Sequence, residues 1–535
     1  MNWIFVLSKR PSRAALWTIL GTLSYVLSFP RFDLYQLMPL ALFGWIFAVE
    51  RTKSWRHALG LGLLGSFLIG LGGFHWVIYV ARNFGGMPLP VAVILLLIFC
   101  LVAAPQLLAF FLIGHGVQPL VARRLPAWLA PFFWTFLYVG LEFLGSRIKL
   151  FPEFMGSPWI QWTAVAQVAA VGGASLLSFL PALMGAAGWA LVRHRAWALP
   201  ALSATLGLLT LAWVWGDREL RRWEDASPDR ILRVAVIQAN IGDVEKISAE
   251  MGSRRALDLV INRYLTLSQE AAAHGVDLIV WPETAYPLLF PVSAGKVSSS
   301  FASGYANLLE STIASTGTAH LIGTYEGVGE TTYNAAALLS RDGKVIQTYR
   351  KVNLLMFGEK MPLSGWFPFL KKLNPNLGDF GQGEGPFPLS LRLQPDESTV
   401  KIGVNICYEA VMPAFMREMA IQGSHLFLNL TNDSWFGPTF EPWQHLQLAA
   451  LRSIENRIPT VRATNTGISA LISPVGRIEN PSPLFEARVA PFSVALRPAK
   501  SFYRRHGDWF ACAALLLGFV PASVGLAFRR WKGSV

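Results

Sequence analysis

Seven apolar runs follow one another over residues 1–215, and no other feature constrains the fold of this chain as strongly. They cover 14–29, 35–49, 58–80, 89–117, 128–144, 164–191 and 196–215, and an eighth covers 509–528. Each reaches or approaches the ~20 residues that carry a helix across ~30 Å of hydrocarbon. The first two are short and are also compatible with one helical hairpin with tilted arms. A soluble fold rarely needs seven such runs in succession, because its surface helices are apolar along one stripe only. The sequence therefore predicts a polytopic α-helical membrane protein of about eight spans. Hydrophobic residues make up 53% and charged residues 15%, against about 25% charged in ordinary soluble domains. That balance excludes disorder, fibrous repeats and a purely soluble enzyme.

The net charge of +13 is unevenly placed. Residues 1–215 hold 14 Lys/Arg against 4 Asp/Glu, residues 216–528 hold 29 of each, and Arg529, Arg530 and Lys532 complete the surplus. A nucleic-acid footprint would be a basic stripe on the polar half, which is neutral, so no nucleic-acid partner is expected. Cations gather in alternate loops: Lys9, Arg10 and Arg13; Arg51, Lys53 and Arg56; Arg123 and Arg124; Arg193 and Arg195; and the tail. The other side carries only Arg31, Arg82, Arg147 and Lys149. The positive-inside rule then places both termini in the cytoplasm and residues 216–508 outside it. No cleavable signal peptide is evident. Cys100 and Cys512 fall in apolar runs, which leaves Cys407 as the single thiol of the outside region. Extracytoplasmic cysteines are usually paired; this one is either an inert buried hydrophobe or a reactive nucleophile.

The expected organisation is a membrane domain over 1–215, a connector over 216–231, a domain over 232–498, a second connector over 499–508, the eighth span and a basic tail over 529–535. Within 232–498, strands are predicted at 232–238, 278–281, 321–324, 336–340, 400–406, 426–430 and 468–472. Helices are predicted at about 254–274, 300–316, 414–422 and 443–456. This alternation implies an α/β domain with one or two sheets.

Three segments there carry chemistry. Trp281-Pro282-Glu283-Thr284 ends an apolar strand, where a lone acid is usually solvated or capping. Tyr349-Arg350-Lys351-Val352 is followed by Phe357-Gly358-Glu359, and a lysine beside an arginine is ordinarily a solvated charge. Gly403-Val404-Asn405-Ile406-Cys407-Tyr408-Glu409 runs from a strand towards a helix that begins after Pro413. Backbone N–H groups at such a junction stabilise a thiolate, although buried cysteines are also common there.

Glu, then Lys, then Cys, each at the end of a β-run, resembles the nitrilase superfamily of carbon–nitrogen hydrolases over roughly 232–495. With seven spans before that region and one after, the whole chain is similar to the membrane-embedded N-acyltransferases of lipoprotein maturation. The likeness extends to FGE at Glu359, CYE at Cys407–Glu409, LTNDSWFG at 430–437 and ENRIPTVRATNTGIS at 455–469. It implies an extracytoplasmic, periplasmic α-β-β-α sandwich with a Glu283–Lys351–Cys407 triad, in a bacterial inner-membrane protein. It further implies ping-pong transfer of the sn-1 acyl chain of a phospholipid, preferentially phosphatidylethanolamine. The chain would pass through a Cys407 thioester to the α-amine of the S-diacylglyceryl-cysteine that begins an apolipoprotein. One departure stands out: many relatives carry a Trp where this chain reads Lys246-Ile247.

A Cys near its free pKa is only a few per cent thiolate at pH 7, so the chemistry needs a base. Glu283 is expected to take the Cys407 proton. A glutamate near its ordinary ~4.3 is a poor base for a thiol, so partial burial belongs to that expectation. Lys351 would stabilise the oxyanion, where one donor is worth roughly 3–4 kcal/mol, and the Tyr408 backbone N–H is a second donor. Glu359 and Glu409 occupy family positions important for activity, with Glu359 expected to hold Lys351 and Glu409 to organise the Cys loop.

Segments 354–370 (LLMFGEKMPLSGWFPFL), followed by Lys371-Lys372, and 286–292 (YPLLFPV), near Glu283, are too apolar for ordinary exposed loops. Both are read as lids at the bilayer surface, with packing inside the domain as the alternative. Tyr286, Met356, Phe357 and Trp366 are the corresponding substrate-contact candidates, and Trp435 and Phe436 of the DSWFG loop are candidates to line the acyl or lipoprotein groove. Glu142, in the fifth run, is expected to pair with Arg147 or Lys149. No metal-ligand spacing and no cofactor motif is present, and a monomer is expected. Two rival readings share parts of this pattern: a membrane-anchored amidase acting on a small soluble amide, which needs only one anchor, and a transporter or lipid-binding protein with an inactive nitrilase-like domain.

Overall fold

The computed structural model describes residues 12–148, 152–290, 300–356, 358–360, 380–394, 397–498 and 500–533. They form two compact units. One contains the described parts of Met1–Ile78, Pro88–Arg221 and His506–Val535; the other contains Tyr79–Met87 and Arg222–Arg505.

The first unit is helical. Pro105–Arg124, Ala169–His194 and Leu199–Asp225 are each long and apolar enough to cross a membrane, and Trp55–Gly73 with Val77–Asn83 adds a pair bent by 68°. Arg13–Ser28, Tyr35–Val49, Leu89–Val102, Ala130–Ser146 and Trp509–Gly533 are further apolar helices. The expected runs differ in continuity. The fourth, 89–117, is two helices broken at Ala103–Ala104, with Pro105 opening the second. The break frees backbone groups that hydrocarbon cannot satisfy. Ser66 supplies partners, its Oγ donating to the Cys100 carbonyl at 2.9 Å and accepting from Ala104 N at 3.0 Å. The sixth, 164–191, kinks at Gly172 and Gly173, the latter at φ +68°. Leu199–Asp225 continues through most of the expected connector, where Asp217 and Arg221 pair at 2.9 Å one turn apart. Glu142 is fully buried and accepts from Met155 N at 2.6 Å, whereas Arg147 pairs with Asp508 at 2.7 Å; Lys149 lies outside the described residues.

The second unit is built on two sheets. Its strands are β1 Arg230–Gln238, β2 Leu278–Val280, β3 Leu289–Phe290, β4 Ala319–Val328, β5 Thr331–Leu339, β6 Val345–Arg350, β7 Leu389–Arg392, β8 Thr399–Ile406, β9 Leu426–Thr431, β10 Thr460–Thr464, β11 Ala470–Ile472, β12 Ile478–Glu479 and β13 Arg488–Leu496. One sheet has the order β13-β1-β2-β4-β5-β6, with β3 beside β4, and the other β12-β11-β10-β9-β8-β7. β1, β2, β3 and β4 are parallel, as are β8, β9 and β10; the remaining strands pair antiparallel.

Alternation within β1 shows why two layers form. Leu232, Val234 and Val236 join Val404, Ile406, Leu428 and Leu430 in the core between the sheets. Ala235 and Ile237 face the other way, against Leu257, Ile261 and Tyr264 of helix Arg254–Ala273 and Ile313 of helix Ser300–Thr316. Both faces are buried, so the strand reads as a continuous apolar run. On the second sheet, a Cβ at Gly403 would stand 2.7 Å from Met419 Cγ, so helix Pro413–Ile421 packs directly on the strand backbone. The result is an α-β-β-α sandwich.

Candidate active site

Glu283, Lys351 and Cys407 lie one to three residues beyond the C-terminal ends of β2, β6 and β8. Ligand sites in parallel sheets collect at that edge. Lys351 is the hub. Its Nζ is 3.2 Å from Glu283 Oε1 and 2.8 Å from Glu359 Oε1, and it is 1% exposed. Asn334, on β5, spans the same two carboxylates, its Nδ2 donating to each at 2.8 Å. Glu283 Oε2 accepts from Asn432 N at 3.2 Å, and Glu359 Oε2 from Leu355 N at 2.8 Å. Burial alone would lower the Lys351 ammonium, but Glu283 and Glu359 hold it well above its ordinary value.

A close backbone approach places Glu283. A Cβ at Gly323, on β4, would stand 2.1 Å from the Pro282 carbonyl oxygen and 2.8 Å from Glu283 Cα. Only glycine lets the Pro282–Glu283 peptide pass there.

Cys407 opens a short 3₁₀ turn at φ +52°, in the left-handed region. A non-glycine residue there is uncommon and is kept by its surroundings. Burial, then the charge of Glu283, pushes its thiol well above the usual range, opposed by Lys351 and by a hydrogen bond with Thr431. The resting sulfur is therefore a thiol that must lose its proton to react. Tyr408 is half-buried beside it.

Glu409 joins the Lys and Cys segments. Its Oε1 accepts from Val352 N at 2.7 Å and Asn353 N at 2.9 Å, its Oε2 from Ile406 N at 2.8 Å, and Tyr349 Oη donates to both. The last backbone bond is half of a capping box. Burial raises its carboxyl to about 7, with the three N–H groups and Lys351 opposing.

Behind Cys407 lies a second buried set. Arg462 donates to both oxygens of Asp433, at 3.0 and 2.8 Å, and to Asn429 Oδ1 at 2.6 Å. Asp433, Glu441 and His445 are close enough together to offer metal ligands. The Arg462 guanidinium offsets the charge of Asp433 in that set.

Of the expected substrate-contact residues, four are described, and they differ in exposure. Tyr286 is 1% exposed and packs with Phe290 in the helix-side core, and its N–H donates to the Gly323 carbonyl at 3.0 Å. Packing, not a lid, describes 286–290, because β3 pairs with β4 there; 291–292 lie outside the described residues. Met356 is 55% exposed, Trp435 half-buried and Phe436 buried. Phe357, Trp366 and the rest of 361–370 lie outside the described residues. Lys246, at the point of departure from relatives, donates to Thr284 Oγ1, next to Glu283.

Asn334, Asn432 and Thr431 join the site without being candidates in the sequence, and Tyr349, part of the quoted Lys351 segment, gains a role there. Asn432 and Thr431 fall in the quoted LTNDSWFG run, which was a usable signal. Asn334 lies two residues before the predicted strand 336–340, in the part of β5 that the prediction leaves out, and has no such signal.

Comparison with known proteins adds the following. The Carbon-nitrogen hydrolase family model matches residues 233–494, and the Apolipoprotein N-acyltransferase N-terminal domain model matches 21–187. An apolipoprotein N-acyltransferase of Bdellovibrio bacteriovorus is 31% identical across 94% of this chain and 92% of its own length. One of Geobacter metallireducens is 32% identical across 97% and 96%. Among solved structures, an amidase from Nesterenkonia sp. is 18% identical, covering 49% of this chain and 90% of its own, with a TM-score of 0.35. Two family models in this order, and relatives matched nearly from end to end, show that the chain belongs to the apolipoprotein N-acyltransferase family.

Proposed function

We propose that this protein transfers a fatty acyl chain from a phospholipid to the N-terminal amine of an apolipoprotein, by a ping-pong route through Cys407. The observation that carries the reading is the buried Glu283–Lys351–Glu359 cluster coupled to the Cys407 sulfur. Such a cluster serves a thiol nucleophile, and family membership supplies the reaction class.

In the first half-reaction, Glu283 takes the Cys407 proton and the thiolate attacks the sn-1 ester carbonyl, preferentially of phosphatidylethanolamine. Of the three Lys351 protons, two face Glu283 and Glu359, which leaves the third for the tetrahedral oxyanion, with the Tyr408 N–H as second donor. Collapse breaks the ester C–O bond. The departing lysophospholipid alkoxide takes the proton from Glu283, and a Cys407 thioester remains. In the second half, the α-amine of the diacylglyceryl-cysteine attacks that thioester while Glu283 removes a proton. An amide forms, and the sulfur leaves and recovers the proton. Glu359 and Asn334 hold Lys351 and Glu283 together, and Glu409 holds the Lys segment against the Cys turn.

The protein works in the bacterial inner membrane as a monomer, with both termini cytoplasmic and the sandwich in the periplasm. The distribution of cations between alternate loops supports that orientation. No resident metal or cofactor enters the steps.

Intact-mass measurement of the full chain incubated with phosphatidylethanolamine tests this. The expected result is a hydroxylamine-labile acyl adduct on Cys407, absent in Cys407→Ala and discharged by a diacylglyceryl-cysteine peptide. Absence of the adduct, or turnover of a short soluble amide in its place, refutes the proposal.

A further inference from the structure

Cys407 keeps a left-handed backbone conformation, and two buried donors converge on its carbonyl oxygen from behind. His445 Nε2 is 3.2 Å away and Asn429 Nδ2 3.4 Å away. The imidazole tautomer follows from its neighbours. Arg462 Nη2 lies 3.1 Å from His445 Nδ1, and a guanidinium can only donate. Nδ1 is therefore the acceptor and Nε2 carries the hydrogen. Asp433, at 3.6 Å from Nδ1, is too far for a hydrogen bond, and is instead held by Arg462.

We propose that His445 is a positioning residue for the nucleophile: its Nε2–H, oriented by the Arg462–Asp433 pair and joined by Asn429, holds the Cys407 carbonyl so that the turn stays left-handed and the thiol stays aimed at Glu283 and Lys351.

The charges around the ring support this role. Burial, then the guanidinium of Arg462, lowers the imidazole, which keeps it neutral. Burial would raise Asp433, yet Arg462 holds it down to about 2. Glu441 lies 3.9 Å from His445 Nδ1, and neither of its oxygens has a hydrogen-bond partner. Burial and the charge of Asp433 raise it well above the carboxylate range. One cation, one anion, one neutral imidazole and one neutral acid leave no net charge under the turn. A neutral imidazole with a fixed tautomer gives its Nε2–H to the carbonyl across the physiological pH range.

This inference rests on Cys407 being the nucleophile of the proposed transfer. Its test reads the thiol directly and so is separable from that reading. The full chain is treated with iodoacetamide, and labelling of the Cys407 peptide is followed by mass, beside kcat and KM for acyl transfer. In His445→Gln the side-chain amide nitrogen reaches the place of Nε2; in His445→Asn it falls short. His445→Gln is expected to label and turn over within about threefold of wild type. His445→Asn is expected to be at least tenfold slower in both, with KM unchanged. Wild-type labelling in His445→Asn, equal losses in both variants, or a change in KM alone overturns the proposal. Should His445→Asn not fold, Asn429→Ser, which removes the other donor from the same carbonyl, is expected to label and turn over at least tenfold slower with KM unchanged, and wild-type labelling there overturns the proposal.

Discussion

Gly323→Ala puts one methyl group where the backbone of the active site passes. Its Cβ would stand 2.1 Å from the Pro282 carbonyl oxygen, and real Cβ atoms essentially never approach closer than 3.0 Å. The clashing atoms are backbone, so the Pro282–Glu283 peptide must retreat by nearly 1 Å. Glu283 is fixed by bonds of 3.2, 2.8 and 3.2 Å to Lys351, Asn334 and Asn432, and a retreat of that size breaks or lengthens them. Lys351 and Asn334 keep Glu359, so the damage falls on the base. Displacing a reacting group by about 1 Å costs about 10²-fold, and overpacking a tight site costs about 1–3 kcal/mol in stability. The assay is the single-turnover rate of Cys407 acylation from phosphatidylethanolamine, followed by intact mass, with thermal denaturation alongside. The expected result is acylation slowed about 10²-fold with a folded protein. Combining the change with Glu283→Gln should add little, because both act through one carboxylate. An acylation rate within threefold of wild type, or full additivity with Glu283→Gln, would refute the argument that this close approach places the base.

Lys351→Met removes an oxyanion donor, typically worth about 10²–10³ in kcat, and leaves Glu283 and Glu359 buried without their cation, at about 3–5 kcal/mol; the same mass assay and a melting curve should show both losses. Asn334→Leu removes the amide that bridges the two carboxylates, so acylation should slow by at least tenfold while binding of phosphatidylethanolamine is unchanged. Glu409 has its carboxyl raised from 4.5 to about 7. Its stabilising contribution is therefore complete below about pH 4.5 and lost as pH rises through about 7, a fall of roughly 3 kcal/mol. Melting curves of Glu409→Gln should lack that decline, while the variant melts below wild type in acid because its amide nitrogen faces a backbone N–H that the carboxyl oxygen accepted, at about 1–3 kcal/mol, and transfers acyl groups more slowly.

Part of the architecture is legible because its signals are local. Buried parallel strands such as β1, β8 and β9 are runs of apolar residues, and their ends mark Cys407 and, for β2, Glu283. The polar strand β6, VIQTYR, carries only one buried residue, Tyr349, so its periodicity is weak although it delivers Lys351. β10 was missed for a different reason. Arg462 interrupts it, and an arginine inside a fully buried strand makes sense only once Asp433 and Asn429 are seen beside it. The breaks in the apolar runs were visible as Pro105 and Gly172-Gly173. Whether such residues bend or end a helix depends on partners such as Ser66, 34 residues from Cys100 along the chain.

The sequence by itself determined the membrane-rich character of one half, the α/β character of the other, and a set of three residues whose order and strand-end positions point to thiol chemistry. These follow from hydrophobic periodicity and charge placement, which act over a few residues. Resemblance to a family suggested Glu359 and Glu409, but only the tertiary structure decided that Asn334 bridges Glu283 and Glu359, that Gly323 makes room for Glu283 and that His445 backs Cys407. Each of these depends on atoms within about 3 Å brought together from strands far apart in the chain. At that range one methyl group or one donor decides the outcome, and no local pattern records it.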